Sequence, residues 1–329
     1  MKQRKLGQDG PLVSAVGYGA MSFTDFYGPA MDTESLKVLD ACVEMGITHI
    51  DTSNVYGMGR SETVIGEWIK SRGGALPFSI ASKAGITRDP DYRFNNSPEH
   101  LAQSLDESLA RLGVEAIDLY YVHRRDTRNE IEEVTETLAG FVKAGKVKAI
   151  GYSEIAPSSL RRAHAVHPIA AVQSEYSLST RSPELGLIQA CVDIGASLVA
   201  FSPVGRALLT DRPHDAASVA HLDFLKPNPR FIEPNLSANL EYNAKFRALA
   251  ADMSVPAASL AIAWVLHQGD GVIAIPGTRK VTHLQELVTG GIIDLSTEDV
   301  TRIEAVMPIG WAHGDRYSAG QWMGPERYC

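Results

Sequence analysis

Cysteine is scarce in this 329-residue chain: there are three, Cys42, Cys191 and Cys329. They are too few and too scattered for a disulfide framework or a zinc site, so no metal is expected. No apolar run approaches the ~18 residues that span a bilayer. The N-terminal Lys2, Arg4 and Lys5 lead into a Gly7 to Pro11 turn, where a signal peptide would have an apolar core. Basic charge is also short, with 31 Lys and Arg against 39 Asp and Glu, a formal net charge of −8. Nucleic-acid binders usually show the reverse balance, so any anionic ligand must be met by a local basic cluster. A soluble, cytoplasmic protein with no nucleic-acid or membrane partner is expected. Apolar residues at 44% and charged residues at 21% exclude disorder and coiled coil.

Short apolar runs alternate with amphipathic helical runs along the chain. Residues 15–19, 47–51, 78–83, 117–123, 147–152, 170–173, 197–201 and 272–275 read as about eight buried strands. Between them, 34–44 carries Leu36, Leu39 and Cys42 on one helical face, and Gly46 follows as a stop. Ser97 is placed as an N-cap with Pro98 at the first helical position, and that helix runs through Leu101, Leu105 and Leu109 to Gly113. A further helix spans 130–143. This alternation predicts an α/β fold of parallel strands with helices outside. No Gly-x-Gly-x-x-Gly turn follows the first strand, and the repeat count is near eight. Both observations favour a closed (β/α)8 TIM barrel over an open sheet. Residues 4–6 and 12–14 suggest a hairpin plugging its N-terminal end, and the tail at 308–329 is expected over the mouth. No domain boundary interrupts the chain. The segment 206–239, with four prolines, is expected to be a long irregular loop, and such loops are usually functional.

Barrel enzymes carry their chemistry at the C-terminal strand ends. Those ends supply Asp51, Lys83 and His123, and the loop after Asp51 brings Tyr56. One strand-end Asp or His is more often a turn residue than a catalyst. Four polar groups of complementary type converging on one mouth are harder to explain that way. Arg124 and Arg125 read as solvated or paired with Asp126. Phe23, Phe26, Tyr27, Tyr92, Phe94, Trp311 and Trp322 lie in loops or tail, and some are expected to line an apolar substrate pocket.

The motifs resemble the aldo-keto reductase family over nearly the whole chain. They are Gly17-Tyr18-Gly19-Ala20-Met21, Ile50-Asp51-Thr52-Ser53-Asn54-Val55-Tyr56-Gly57, Ala81-Ser82-Lys83 and Tyr121-Val122-His123-Arg124. The run AGKVKAIGYSE at 144–154, Gln173-Ser174-Glu175-Tyr176, Phe201-Ser202-Pro203-Val204-Gly205-Arg206 and Ile275-Pro276-Gly277-Thr278-Arg279 complete the series. The last two loops are similar to a bacterial, fungal and plant branch. The resemblance implies one barrel domain over 1–329 and a metal-free, reversible, NADPH-dependent reduction of an aldehyde or ketone. Hydride leaves C4 of the nicotinamide, and Tyr56 supplies the proton. A free phenol with a pKa near 10 is a sluggish donor, so Lys83 is expected to lower the Tyr56 pKa while Asp51 holds Lys83. His123 is expected to orient the carbonyl.

The resemblance also implies the cofactor contacts. Gly19, Ala20, Met21 and Asp51 belong to this set, with Ser153 and Gln173 on the carboxamide and Phe201 stacked on the nicotinamide. Ser202, Pro203, Gly205 and Arg206, with Gly277, Thr278, Arg279 and Lys280, follow the seventh and eighth strands, where barrels commonly bind phosphate. Arg279 and Lys280 suit a 2′-phosphate, and Gln285 and Glu286 face the adenine. Two positions depart from the family pattern: Glu154 and Leu287 each stand where asparagine is usual. Glu154 can only accept, and so cannot bond the carboxamide oxygen.

Two other classes compete with this reading. One is a non-catalytic relative like channel-associated β subunits, against which the complete set of four residue types speaks. The other is a lyase using Lys83 as a Schiff-base nucleophile, which the carboxylate of Asp51 opposes by raising the amine pKa. The carbonyl substrate and the oligomeric state are left open.

Overall fold

A computed structural model describes residues 1–89 and 92–328; Cys329 lies outside the described residues. Strand β1 (Gln3–Lys5) pairs antiparallel with β2 (Leu12–Ser14). Eight parallel strands follow in one sheet, in chain order. They are β3 (Tyr18–Gly19), β4 (His49–Asp51), β5 (Ser79–Ala84), β6 (Leu119–Val122), β7 (Ile150–Ser153), β8 (Ala171–Glu175), β9 (Ser197–Phe201) and β10 (Val272–Ala274). Val16 bridges Ala274 in parallel, and the Gly17 N–H donates to the Ala274 carbonyl at 2.8 Å, so the last strand meets the start of the first. Helices α1 (Asp32–Glu44), α2 (Arg60–Ser71), α3 (Pro98–Leu112), α4 (Ile131–Lys143), α5 (Pro157–Val166) and α6 (Leu187–Ile194) each connect consecutive strands. Between β9 and β10 run α7 (Ala216–Val219), α8 (Asn235–Asp252) and α9 (Ala257–His267); α10 (Val281–Thr289) and α11 (Thr297–Val306) follow β10. The architecture is a nearly closed (β/α)8 barrel. Among the described residues, no single helix is long and apolar enough to cross a membrane.

The strands read as unbroken apolar runs because both faces are buried. Their two-residue period sorts the side chains. Ile80, Tyr120, Val172 and Leu198 pack outward under the helices. Ala81, Leu119, Tyr121, Ala171, Val199 and Ile273 point into the barrel and meet Leu6 and Val13 of the hairpin, which fills the N-terminal end. The same parity carries Lys83, Gln173 and Phe201 to the top of the interior. Gly151 is required here, because a Cβ would lie 2.6 Å from the Ala171 carbonyl and 2.7 Å from the Tyr121 ring. At the closing seam, a Cβ on Gly277 would lie 2.5 Å from the Gly19 carbonyl oxygen.

The Ser97 cap is present: its hydroxyl accepts the His100 N–H at 3.3 Å, with Pro98 opening α3 and Gly113 ending it in the left-handed region. Several expectations need correction. The strands expected at 15–19, 117–123 and 147–152 are regular only over Tyr18–Gly19, Leu119–Val122 and Ile150–Ser153, since Val16, Ile117 and Val147 make just isolated bridges. The long loop also ends earlier. It contains α7, and α8 starts at Asn235 once Pro234 has served as its N-cap.

Candidate active site

Asp51 ends β4 and Lys83 lies near the end of the adjacent β5, both aimed into the barrel and 2% and 0% exposed. An unpaired ammonium would be expensive at this depth. All three of its donors are used: Lys83 Nζ bonds Asp51 Oδ1, donates to the Thr52 carbonyl at 2.7 Å, and lies 3.4 Å from Tyr56 Oη. The other Asp51 oxygen accepts from Gln173 Nε2 at 2.7 Å. Tyr56 arrives from the turn after β4, where its N–H donates to the Ser53 carbonyl at 3.2 Å. Its ring meets His123 edge-on, with centroids 5.7 Å apart. His123 Nδ1 lies 3.1 Å from Ser53 Oγ.

Burial works against the charged form of Lys83, but Asp51 and Tyr56 together hold its pKa above the ordinary value. Burial depresses His123 well below 6.5, helped by Arg124 and Lys83, so the ring is neutral at pH 7. Tyr56 departs from expectation. Burial raises its phenol above 10, and Lys83, with Asp51 offsetting it, pulls the value back only in part. Desolvation of a phenolate outweighs a cation already shared with a carboxylate.

The cofactor candidates fall into three places. Gly19, Ala20 and Met21 run from β3 into a short 3-10 turn, beside the β10 loop that holds Gly277, Thr278, Arg279 and Lys280. Gln285 and Glu286 follow on α10, whose N-terminus has no side-chain cap. Arg279 Nη1 donates to the Pro29 carbonyl at 2.7 Å. Phe201 closes β9, with Ser202, Pro203 and Gly205 in the turn beyond it and Ser202 at φ +49°. Arg206 stands apart, because its guanidinium bonds Glu175 at 2.6 Å. Leu287 turns into the core beneath the helices.

Glu154 and Glu175 anchor a second buried cluster that the sequence reading missed. Arg316 in the tail bonds Glu154 and lies 3.4 Å from Glu175; Arg230 lies 3.8 Å from Glu175 and donates to Thr180 at 2.8 Å. Burial alone would raise the Glu154 pKa, yet Arg316 holds it below the usual carboxylate value. A glutamate directly after a buried strand, in place of asparagine, was the available signal, since such a charge demands a partner. The tail does cross the mouth. Glu326 accepts from the Ala156 N–H at 2.8 Å, and Trp311 Nε1 donates to the Leu178 carbonyl at 2.8 Å.

The Arg124–Asp126 region also needs correction. Asp126 takes Arg128 as its partner, Arg125 lies 3.5 Å from Glu326, and Arg124 turns inward to Ser153 Oγ at 3.0 Å. Among the aromatics, Phe23 and Trp311 are core residues, and Tyr92 covers Arg128 outside. Tyr27 and Phe26 group with Phe224, and Trp322 packs on Tyr317.

Residues 15–308 match the profile of the Aldo/keto reductase family. The chain belongs to that family. It is 36% identical over 323 residues to the Aldo-keto reductase yakc [NADP(+)] of Schizosaccharomyces pombe, covering 96% of this chain and 94% of that protein. It is 39% identical over 322 residues to a probable aldo-keto reductase of Glycine max, covering 96% of this chain and 92% of that protein. Among solved structures, a glycerol dehydrogenase from Gluconobacter oxydans superposes with a TM-score of 0.80 at 26% identity, over 92% of this chain and 94% of that one. The family places the chain among oxidoreductases that use nicotinamide cofactors on small carbonyl compounds.

Proposed function

We propose that this aldo-keto reductase is an NADPH-dependent reductase of aldehydes or ketones, with Tyr56 as proton donor. The buried Asp51–Lys83 pair, with its ammonium against Tyr56 Oη, is the observation that carries the reading. When bound, the cofactor supplies hydride to the carbonyl carbon. The remaining work belongs to the chain. A phenol held above its ordinary pKa is protonated throughout the neutral range, as a donor must be. Lys83 then stabilises the phenolate as the proton leaves, and Asp51 keeps Lys83 charged and fixed. Neutral His123 would hydrogen-bond the carbonyl oxygen and orient it.

The residues fit a nicotinamide dinucleotide. Arg279 and Lys280 stand at the uncapped N-terminus of α10, a natural anion locus. NADP(+) in the name of the yakc protein supports the phosphorylated form. Gln173 keeps its amide oxygen for the carboxamide while its nitrogen serves Asp51. The family pattern, the same Asp51–Lys83 pair and the engaged ammonium all speak against a Schiff-base role for Lys83.

A screen of NADPH and NADH oxidation at 340 nm over aromatic aldehydes, pyridoxal-like aldehydes, dicarbonyls and bulky ketones tests the proposal. NADPH-linked turnover of several reactive aldehydes is expected. Tight NADPH binding with no turnover of any of them would contradict it and favour a non-catalytic, cofactor-binding role.

A further inference from the structure

Arg124, in the loop after β6, has no carboxylate partner among the described residues, unlike the arginines around it. Arg206, Arg230 and Arg316 share Glu154 and Glu175, Arg125 approaches Glu326, and Arg128 holds Asp126. Arg124 has no ion-pair partner within 4.0 Å among the described residues, and Glu154, which its charge does reach, is bonded to Arg316, Ser174 and the Glu175 N–H. Arg124 therefore brings a positive charge with no ion-pair partner among the described residues to the mouth of an acidic protein.

That charge is held in place. Arg124 Nη1 donates to the His123 carbonyl at 2.7 Å and to Ser153 Oγ at 3.0 Å. Its aliphatic stem lies under the tail, where a Cβ on Gly324 would come 2.9 Å from Cδ and 3.0 Å from Cγ. The position is set before any ligand arrives, which removes much of the ordering penalty of binding. Of five guanidinium N–H groups, the two on Nη1 are used. The Nε and Nη2 edge has no bonded partner among the described residues, and it is the edge that pairs side-on with a carboxylate. Arg124 adjoins His123 in sequence, and its charge acts on the phenols of both Tyr56 and Tyr317.

We propose that Arg124 is a specificity-determining residue that favours aldehydes and ketones carrying a carboxylate a few bonds from the carbonyl. The proposal rests on the reading that Tyr56 and His123 receive the carbonyl oxygen. The carboxylate would give Arg124 the ion-pair partner that the described residues do not supply, while the carbonyl stays at Tyr56.

The test compares 3- and 4-carboxybenzaldehyde with the matching carbamoylbenzaldehydes, which have the same shape without the charge. For wild type, kcat/KM for the better carboxylate should exceed that of its amide by about 10- to 100-fold, the range for a charge-assisted pair. Arg124→Gln should bring this ratio close to one. Arg124→Lys should leave an intermediate ratio, because it keeps the charge and loses the planar fork. The ratio cancels any shared effect on cofactor binding through Ser153. A wild-type ratio near one, or the same ratio in Arg124→Gln, would overturn the proposal. Were no aldehyde turned over, the reductase reading would fail on its own, and equilibrium binding would decide. Tighter binding of the carboxybenzaldehyde to wild type than to Arg124→Gln, by fluorescence quenching, would uphold the carboxylate site; equal binding would overturn it.

Discussion

Two buried ionic clusters sit at the same end of the barrel, and they are built differently. In the first, Asp51, Lys83 and Gln173 all come from strands, one positive charge meets one negative, and the open edge is a phenol. In the second, Glu154 and Glu175 end or follow strands, while Arg206, Arg230 and Arg316 come from loops and tail. No reacting group protrudes from it. It closes the molecule by tying the tail across β7 and β8. On the proposed reading, burying opposite charges serves two ends here: the first cluster tunes a proton donor, and the second holds the segments that roof it.

If that division is right, damage to the two clusters should separate in the assays. The largest effect is expected for Lys83→Met, which removes the cation at Tyr56. Turnover should fall by about 10²–10⁴, the range for losing assisted acid catalysis, with the NADPH dissociation constant little changed. Loss of cofactor binding together with activity would assign Lys83 a structural part and erase the distinction. Arg316→Ala should act the other way. It strands Glu154 and should lower unfolding free energy in urea by about 3–5 kcal/mol, as for a broken buried pair. Folded Arg316→Ala protein should keep most of its turnover. Arg316→Met with Glu154→Gln removes both charges and should recover part of the stability; no recovery would show that the pair is not the source of the loss.

A smaller effect is expected away from both clusters. Arg279→Ala should weaken NADPH by roughly 10- to 150-fold, the worth of a charge-assisted bond to a 2′-phosphate, and leave NADH nearly unaffected. Equal weakening of both cofactors would mean that Arg279 acts through its bond to Pro29 and holds the loop instead.

The same contrast explains what could be read from the residues in order. Asp51, Lys83 and His123 end or follow apolar runs, and strand parity turns Asp51 and Lys83 inward, so their convergence is legible in the sequence. β9 lies where its apolar run lies, at Ser197–Phe201. Arg316 offered no such handle, because a tail residue meets Glu154 across 162 positions of chain and no periodicity links them. Arg124 was misread for a related reason. Beside Arg125 and Asp126 it looks like a solvated charge run, and no sequence pattern links it to Gly324 over its stem or to Ser153, which it bonds. The rise in the Tyr56 pKa was hidden because it depends on burial depth, which a motif does not carry.

The central claim is that the strand-built cluster exists to hold a proton on Tyr56 and deliver it to a carbonyl oxygen. Tyr56→Phe keeps the ring that packs against His123 and removes only the hydroxyl. A single-turnover stopped-flow measurement, with enzyme preloaded with NADPH and mixed with a saturating aldehyde, isolates the reduction step from cofactor exchange. The account predicts a fall of about 10²–10⁴ in that rate, with NADPH affinity preserved. A Tyr56→Phe enzyme that keeps half the wild-type rate would contradict it.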